Sequence, residues 1–499
     1  MGRKWTLIAI LACIAVGSAG ALDARAFLIV PAACGLVWLC VLAYNRPQHL
    51  LPVAVFLVLV AGTKFRNRDP TASLANVLDG QIILELAIFG LIALILGMAI
   101  LSPSLQTLRL KTTERLLIAF VVLAACSVLW SSAPMLTVVR TVQLAILLAL
   151  GLIASRVMGA SGTLRAVGVA LTVYVLVCAA LATAFPWAQG LREDAQGRVR
   201  FSWFAMHSIS ASTLTAVAIL YVLCIALFAP DGWKRRWVGV PIVLLFLPLG
   251  TIMVAANSRG PLFALVGTIC ALLAFRYLHP VTTLTLVATG ALLVLVGTVY
   301  GVTPESLLAQ STHSDSRVAE MVLRGQTVSE FGTLTGRTEL WVGIMPYYFD
   351  RPLFGYGYQA SRSVLLAVRP WAGHAHNALI QSLMDLGLVG AVLLWIPFAR
   401  ALFARPPARA RARSVTTWQS ATVFAFAMFA LLTSVSDVAF AGPPGYETLL
   451  VFCSIAVVER MARDEALEDA ERSRGQSASA RFRRAVPLRR PLVREGVGR

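Results

Sequence analysis

His374 and His376 stand two residues apart in the run WAGHAHNALIQSLMDLGLVG, where a polar stretch gives way to an apolar one. A neutral imidazole accepts a proton near neutral pH, so a histidine at such a boundary is a candidate general base. If a helix starts here, Asn377, Gln381 and Asp385 fall at i, i+4 and i+8 and form one polar stripe running into the apolar segment. Asp385 then lies about two turns deep, where a carboxylate is not expected to be idle. A metal site built on His374 and His376 lacks a nearby cysteine or carboxylate in sequence to complete the usual ligand set, so no metal is expected.

The second group of candidates is cationic. Arg259 lies between two apolar runs in MVAANSRGPLFAL with no carboxylate close in sequence. An arginine at membrane depth is costly unless paired or hydrated, which makes it a candidate anion ligand; a snorkelling interfacial arginine is the other open reading. Arg198 and Arg200 precede the aromatic run FSWF, and Arg337 opens RTELWVGIMPYYFD. A guanidinium keeps its charge and presents a planar fork that matches phosphate oxygens in pairs, so these side chains suit a phosphate or pyrophosphate group.

Positioning them falls to a chain that is mostly apolar. Of its 499 residues, 58% are hydrophobic and 13% charged. Apolar runs of about 18–22 residues recur, the length that crosses a bilayer as a helix. The runs lack the alternation of a barrel, leaving helices as the backbone solution in lipid. The fold class is therefore all-α, a polytopic integral membrane protein of about 14 spans (12–14). The first eleven spans and their outer loops 63–80 and 186–207 occupy 1–300. A long outer loop fills 301–375, spans twelve to fourteen fill 376–461, and a disordered basic tail follows at 462–499. In the long loop, short helices are expected around 318–322 and over 337–349, with a turn at Asp350-Arg351-Pro352 and glycine punctuation at Gly355 and Gly357. The run from Trp5 to Leu22 reads as an uncleaved first helix. All eight cysteines fall in apolar runs, which argues against disulfides.

Charge sets the orientation. The connector with Lys234, Arg235 and Arg236, the connector from Arg400 to Arg413, and the tail after Arg460 are strongly basic, so all three are placed in the cytoplasm. Counting spans back places the amino terminus there too. The formal net charge of +19 falls on that side, a surface that attracts anionic lipids. Arginines of the tail lack interleaved aromatics, and nucleic acid is not an expected partner. The loops carrying Arg200, Arg259, Arg337, His374 and His376 all fall on the opposite face.

The run LTGRTELWVGIMPYYFDRPLFGYG, the later run HAHNALIQSLMDLGLVG and the short NSRGP together resemble the O-antigen ligase and O-antigen polymerase family of bacterial membrane glycosyltransferases. They are most similar to its exopolysaccharide repeat-unit polymerases. The resemblance implies a GT-C-like enzyme of the cytoplasmic (inner) membrane. It would transfer a glycan from undecaprenyl pyrophosphate to a sugar hydroxyl on the periplasmic side, with inversion, without a cofactor and without a metal. It implies that His376 orients or deprotonates the acceptor and that Arg259, with Arg200 or Arg198, binds pyrophosphate. The run RFSWFAMHSIS departs from the family by lacking its Gly and Asn, and the choice between Arg198 and Arg200 stays open. His374, Asn377, Arg337 and Asp385 are supporting residues. Two alternatives remain: a ligase that attaches glycan to lipid A core, and a lipid-linked oligosaccharide flippase, against which the absence of an internal repeat counts.

Overall fold

The structure, a computed structural model, describes residues 26–65, 79–103, 105, 110–188, 190–193, 199–229, 240–277, 337–403 and 414–485. Fourteen α-helices lie within them: α1 (Ala26–Asn45), α2 (Pro47–Ala61), α3 (Gly80–Ile100), α4 (Thr112–Cys126), α5 (Pro134–Val157), α6 (Gly159–Ala184), α7 (Ser208–Phe228), α8 (Val240–Ala255), α9 (Arg259–Tyr277), α10 (Arg337–Asp350), α11 (Arg362–Val368), α12 (Ala378–Leu402), α13 (Ser414–Ser434) and α14 (Tyr446–Ala485). Among the described residues, six helices are long and apolar enough to cross a membrane: α3, α4 with the 3-10 turn that extends it to Leu129, α5, α6, α7 and α12. The helices α2, α8 and α9 are apolar but shorter.

Local chemistry explains several boundaries. The Asp79 carboxylate accepts from the Ile82 backbone N–H at 2.9 Å and caps α3. Pro47 and Pro134 sit at the first turn of α2 and α5, where the missing N–H costs nothing. The left-handed Asn257 (φ 50°) ends α8, and α9 restarts two residues later.

Helix α14 packs along α5, α9 along α13, α13 along α7, and α12 along α4. Glycine permits the tightest of these approaches: a Cβ at Gly151 of α5 would come 3.2 Å from the Cys453 backbone nitrogen of α14. Trp418, Phe426 and Phe429 of α13 and Phe452 of α14 are fully enclosed. Between apolar helices in lipid, such close packing supplies the attraction that the hydrophobic effect supplies in water.

Polar side chains gather at two ends. At one, Thr113 Oγ1 and Arg400 Nε both donate to Glu459 Oε1, at 2.7 and 3.2 Å. There too the Arg156 guanidinium meets both oxygens of Glu114 at 2.9 Å, with side chains only 7% and 5% exposed. At the other end lie Ser131, Ser132, the segment 355–361, His374, His376 and Asp437.

Three expectations need correction or fall outside. The expected disordered tail is helical as far as Ala485, because α14 continues unbroken past the apolar part. The run ERMARDEALEDAER is rich in strong helix formers, and Arg460 pairs with Asp464 one turn on. The all-α fold carries one two-stranded antiparallel sheet in the loop 186–207, β1 (Leu191–Glu193) with β2 (Val199–Phe201), with Arg192 opposite Arg200. The first and eleventh spans, the helix around 318–322 and Arg198 lie outside the described residues, so the count of fourteen spans rests on the sequence.

Candidate active site

Helix α12 is where the site is built. Asn377 caps it, its Oδ1 accepting from the Ile380 N–H at 3.0 Å. The residue before the cap, His376, has φ +51°, the left-handed region that histidine enters more readily than most side chains. This turns the imidazole back against its neighbours: the His374 and His376 rings lie 4.0 Å apart, and Trp371 flanks His376 at 5.8 Å. Beneath them the stripe read from the sequence is present. Gln381 Nε2 donates to Asp385 Oδ2 at 2.9 Å, and Asn377 serves as the cap above it.

The helix breaks at Gly387 (φ 66°, ψ −165°). The segment 352–357 fills the break. Tyr356 and Gly357 donate to the carbonyls of Met384 and Asp385, while Leu388 donates to Pro352 and Val389 to Leu353. The same segment and the residue after it are tied to the turn between α4 and α5 and to the first turn of α5: Trp130 Nε1 donates to the Phe354 carbonyl and Thr137 Oγ1 to that of Tyr358. Gly355 (φ 61°) and Gly357 (φ 101°) take the left-handed backbone and close approach that glycine punctuation allows. The segment is an inserted strap whose continuation, Tyr358 to Ser361, is buried.

The turn after α13 closes the site from the other side. Arg337, the first residue of α10, donates to the Ser436 carbonyl. Asn377 Nδ2 donates to the Val435 carbonyl at 3.3 Å. At Gly260, next to Arg259, a Cβ would come 3.4 Å from Ser436 Oγ. The start of α9 and the start of α10 therefore meet at one turn, and the next residue of that turn is Asp437. One ligand-capable atom from each of His374, His376 and Asp437 lie within 4.8 Å of one another. Asp437 was missed in the sequence because it stands about sixty positions from the histidines.

Arg200 sits in β2, which packs against α8, and its guanidinium is 3.4 Å from Ser208 Oγ. Neighbouring His207 caps α7 through Nδ1, which accepts from the Ile209 N–H at 3.2 Å. The backbone of Lys64, in the other outer loop, accepts from the Ala205 N–H at 2.7 Å. The Arg362 guanidinium comes to 3.1 Å from the place of a Cβ on Gly373. Lys64, Arg362 and His207 escaped the sequence reading.

Their charges act together. Burial, reinforced by Arg362, Lys64, Arg337 and His207, holds the His374 imidazole down to about 4. His376 is also pushed down, first by burial and then by His374 and Arg337, with Asp437 opposing. Both rings are neutral at ordinary pH, the form that accepts a proton. Burial lowers Arg337 as well, with Asp437 working against it. Lys64 is lowered by burial, then by Arg362 and Arg140. Among the described residues, the cations acting on the histidines, Arg337, Arg362 and Lys64, outnumber the Asp437 carboxylate, and such a setting favours an anion.

Two imidazoles and a carboxylate are also a known donor set for a divalent cation. The absence of a nearby carboxylate in sequence is thus not an absence in space. Arg337, Arg362 and Lys64 oppose a cation here, and His374 Nδ1 is buried with no hydrogen-bond partner among the described residues.

Residues 244–395 match the family model described as O-antigen ligase. The O-antigen ligase match takes in most of α8, α9 to α11 and most of α12, and with them Arg259, Arg337, His374, His376, Asn377 and Asp385. Arg200 and Asp437 lie outside it. The comparison with curated proteins yields no match.

Proposed function

We propose that the protein is a membrane glycosyltransferase of the O-antigen ligase and polymerase type, moving a glycan from undecaprenyl pyrophosphate to a sugar hydroxyl on the periplasmic face of the inner membrane. The observation that carries this reading is a histidine pair beside Asp437, with Arg337 bonded to the same turn and the start of α9, where Arg259 stands, packed close to it. His376 takes the proton of the acceptor hydroxyl. The hydroxyl oxygen attacks the anomeric carbon as the bond to the pyrophosphate oxygen breaks, so the anomeric centre inverts. Arg259 and Arg200 receive the negative charge on the departing undecaprenyl pyrophosphate. Asp437 offsets the charge gained by the protonated histidine. Pyrophosphate is a good leaving group, and fixed guanidinium groups stabilise it without a metal.

Extension of exopolysaccharide or O-antigen repeats is the favoured reaction, supported by the LTGRTELW and FGYGY runs. Attachment to lipid A core uses the same donor chemistry and differs only in the acceptor. The test is reconstitution of the purified protein with a lipid-linked oligosaccharide. Release of undecaprenyl pyrophosphate with glycan lengthening is the expected result, lost in His376→Ala and in Arg259→Ala. Movement of the donor across the bilayer without release would point to a flippase and overturn the reading.

A further inference from the structure

Ala375, the residue between the two histidines, is held through both its backbone N–H and its carbonyl. The Ala375 N–H donates to Gln381 Oε1 at 2.8 Å, and the Ala375 carbonyl accepts from Trp341 Nε1 at 2.8 Å. The first bond depends on which way the Gln381 amide faces, since a flipped amide would point two N–H donors at the Ala375 N–H. Its orientation is dictated from below. Gln381 Nε2 donates to Asp385 Oδ2 at 2.9 Å and reaches Ser361 Oγ at 3.1 Å. A carboxylate only accepts, so it fixes the amide nitrogen towards itself and leaves Oε1 for Ala375.

Asp385 is itself fully engaged. Oδ1 accepts from Ser361 Oγ at 2.5 Å and from the Ser361 N–H at 3.4 Å, and Oδ2 also accepts from Gln359 Nε2 at 3.2 Å. Both partners belong to the strap that the break at Gly387 admits. Asp385 and Gln381 are buried, at 2% exposure each. Among the described residues neither is hydrogen-bonded to an imidazole, and the left-handed backbone of His376 does not hold itself: such a conformation is strained and persists only where its surroundings impose it.

We infer that Asp385 and Gln381 form a positioning relay that sets the backbone of His374-Ala375-His376 and so aims the His376 imidazole at the acceptor. This rests on the transferase reading for its consequence in turnover, but the placement of His376 can be measured without it. The relay runs from the strap through Asp385 Oδ2, the Gln381 amide and the Ala375 N–H. It gives the buried carboxylate of α12 a task that is neither proton transfer nor substrate contact.

Three variants test it. Gln381→Leu removes both ends of the amide. Asp385→Asn lets the amide flip, because an amide both donates and accepts. The double change Gln381→Glu with Asp385→Asn restores the two bonds of the relay, since the carboxylate now at 381 accepts from Ala375 and from the amide at 385, while Gln359 gives up its bond to that atom. Turnover with a lipid-linked donor should fall about a hundredfold in Gln381→Leu, the loss that a displacement of the order of 1 Å brings. Inorganic pyrophosphate, as a probe of the arginines, should bind all variants within about twofold of wild type, an uncertainty typical of small structural change. Turnover should return substantially in the double variant. A second readout needs no turnover: the rate at which diethyl pyrocarbonate modifies His376, followed by mass spectrometry. It should change several-fold in Gln381→Leu and return in the double variant. Unchanged modification in Gln381→Leu overturns the relay, as does a double variant no better than either single change. If wild type transfers no glycan yet the modification rates follow this pattern, the relay stands and the transferase reading falls.

Discussion

Arg337 opens α10 and donates to the Ser436 carbonyl, so the start of α10 grips the turn that carries Asp437. The sequence reading gave Arg337 only a supporting role, and the bond shows what is supported. A charged hydrogen bond to a carbonyl contributes about 1.5–3 kcal/mol, and its loss would free both the loop and the turn. Arg337→Ala should lower turnover about tenfold to a hundredfold by displacing Asp437 from the histidines. Arg337→Lys should retain more, since one ammonium can still reach the carbonyl. Steady-state transfer by the two purified variants decides this, and near wild-type turnover in Arg337→Ala would remove Arg337 from the site.

The depressed histidines fix a pH dependence. In the free protein His376 stays neutral well below the ordinary histidine value, so the acid limb of kcat/KM should lie well under pH 6.5. Bound pyrophosphate brings negative charge close to the ring and raises its proton affinity, so the acid limb of kcat should lie higher. Stability moves with His374. Its folded value of about 4 lies below the unfolded 6.5, so between these the unfolded chain binds the extra proton. Stability should therefore be full above about pH 6.5, fall as pH drops towards about 4, and level off below that. Thermal unfolding across this range measures the second effect; a kcat/KM limb at pH 6.5 or above would contradict the first.

His376, Asn377 and the stripe below them were legible because they lie within three turns of one helix, and helical spacing alone puts them together. Arg259 and Arg337 were legible because a cation bordering apolar runs demands a reason. Asp437 was not, since only folding returns α13 to the start of α12. One signal was present: Asp437 is the only acidic residue from Ser414 to Tyr446, bordering an apolar run as Arg259 does. The strap was hidden for a different reason. GYGYQAS has the composition of an exposed turn, and its burial follows from a helix break that nothing in LMDLGLVG announces, because glycine also occurs in unbroken membrane helices.

Asp437 separates proton chemistry from metal chemistry. If its carboxylate serves the protonated His376, Asp437→Asn keeps the shape and loses the charge, and turnover should drop about tenfold or more. Chelation with EDTA should leave wild-type turnover unchanged, because the surrounding cations oppose a divalent ion and the arginines supply the needed positive charge. Turnover lost in EDTA and restored by a divalent ion would instead assign His374, His376 and Asp437 as ligands.

Gly387 is the position on which the site architecture depends most sharply. Its φ of +66° lies where a Cβ is strained, and a Cβ there would stand 2.2 Å from the Leu353 carbonyl carbon. Both the break in α12 and the close passage of the strap therefore require glycine. Gly387→Ala cannot be absorbed by a side-chain rotation, since the obstructing atoms are main chain. Either the strap withdraws, freeing the carbonyls of Met384 and Asp385 and taking Gln359 and Ser361 from the Asp385 carboxylate, or α12 straightens and displaces its own first turns. Both routes leave buried polar groups unpaired, at about 1–3 kcal/mol each. Gly387→Ala should therefore unfold at a distinctly lower temperature in detergent than wild type and transfer no glycan. Gly90→Ala, in the middle of α3, is the comparison: a Cβ there meets nothing within 4 Å, and the loss should be much smaller. Equal thermal stability of the two variants would mean that the strap does not occupy the break.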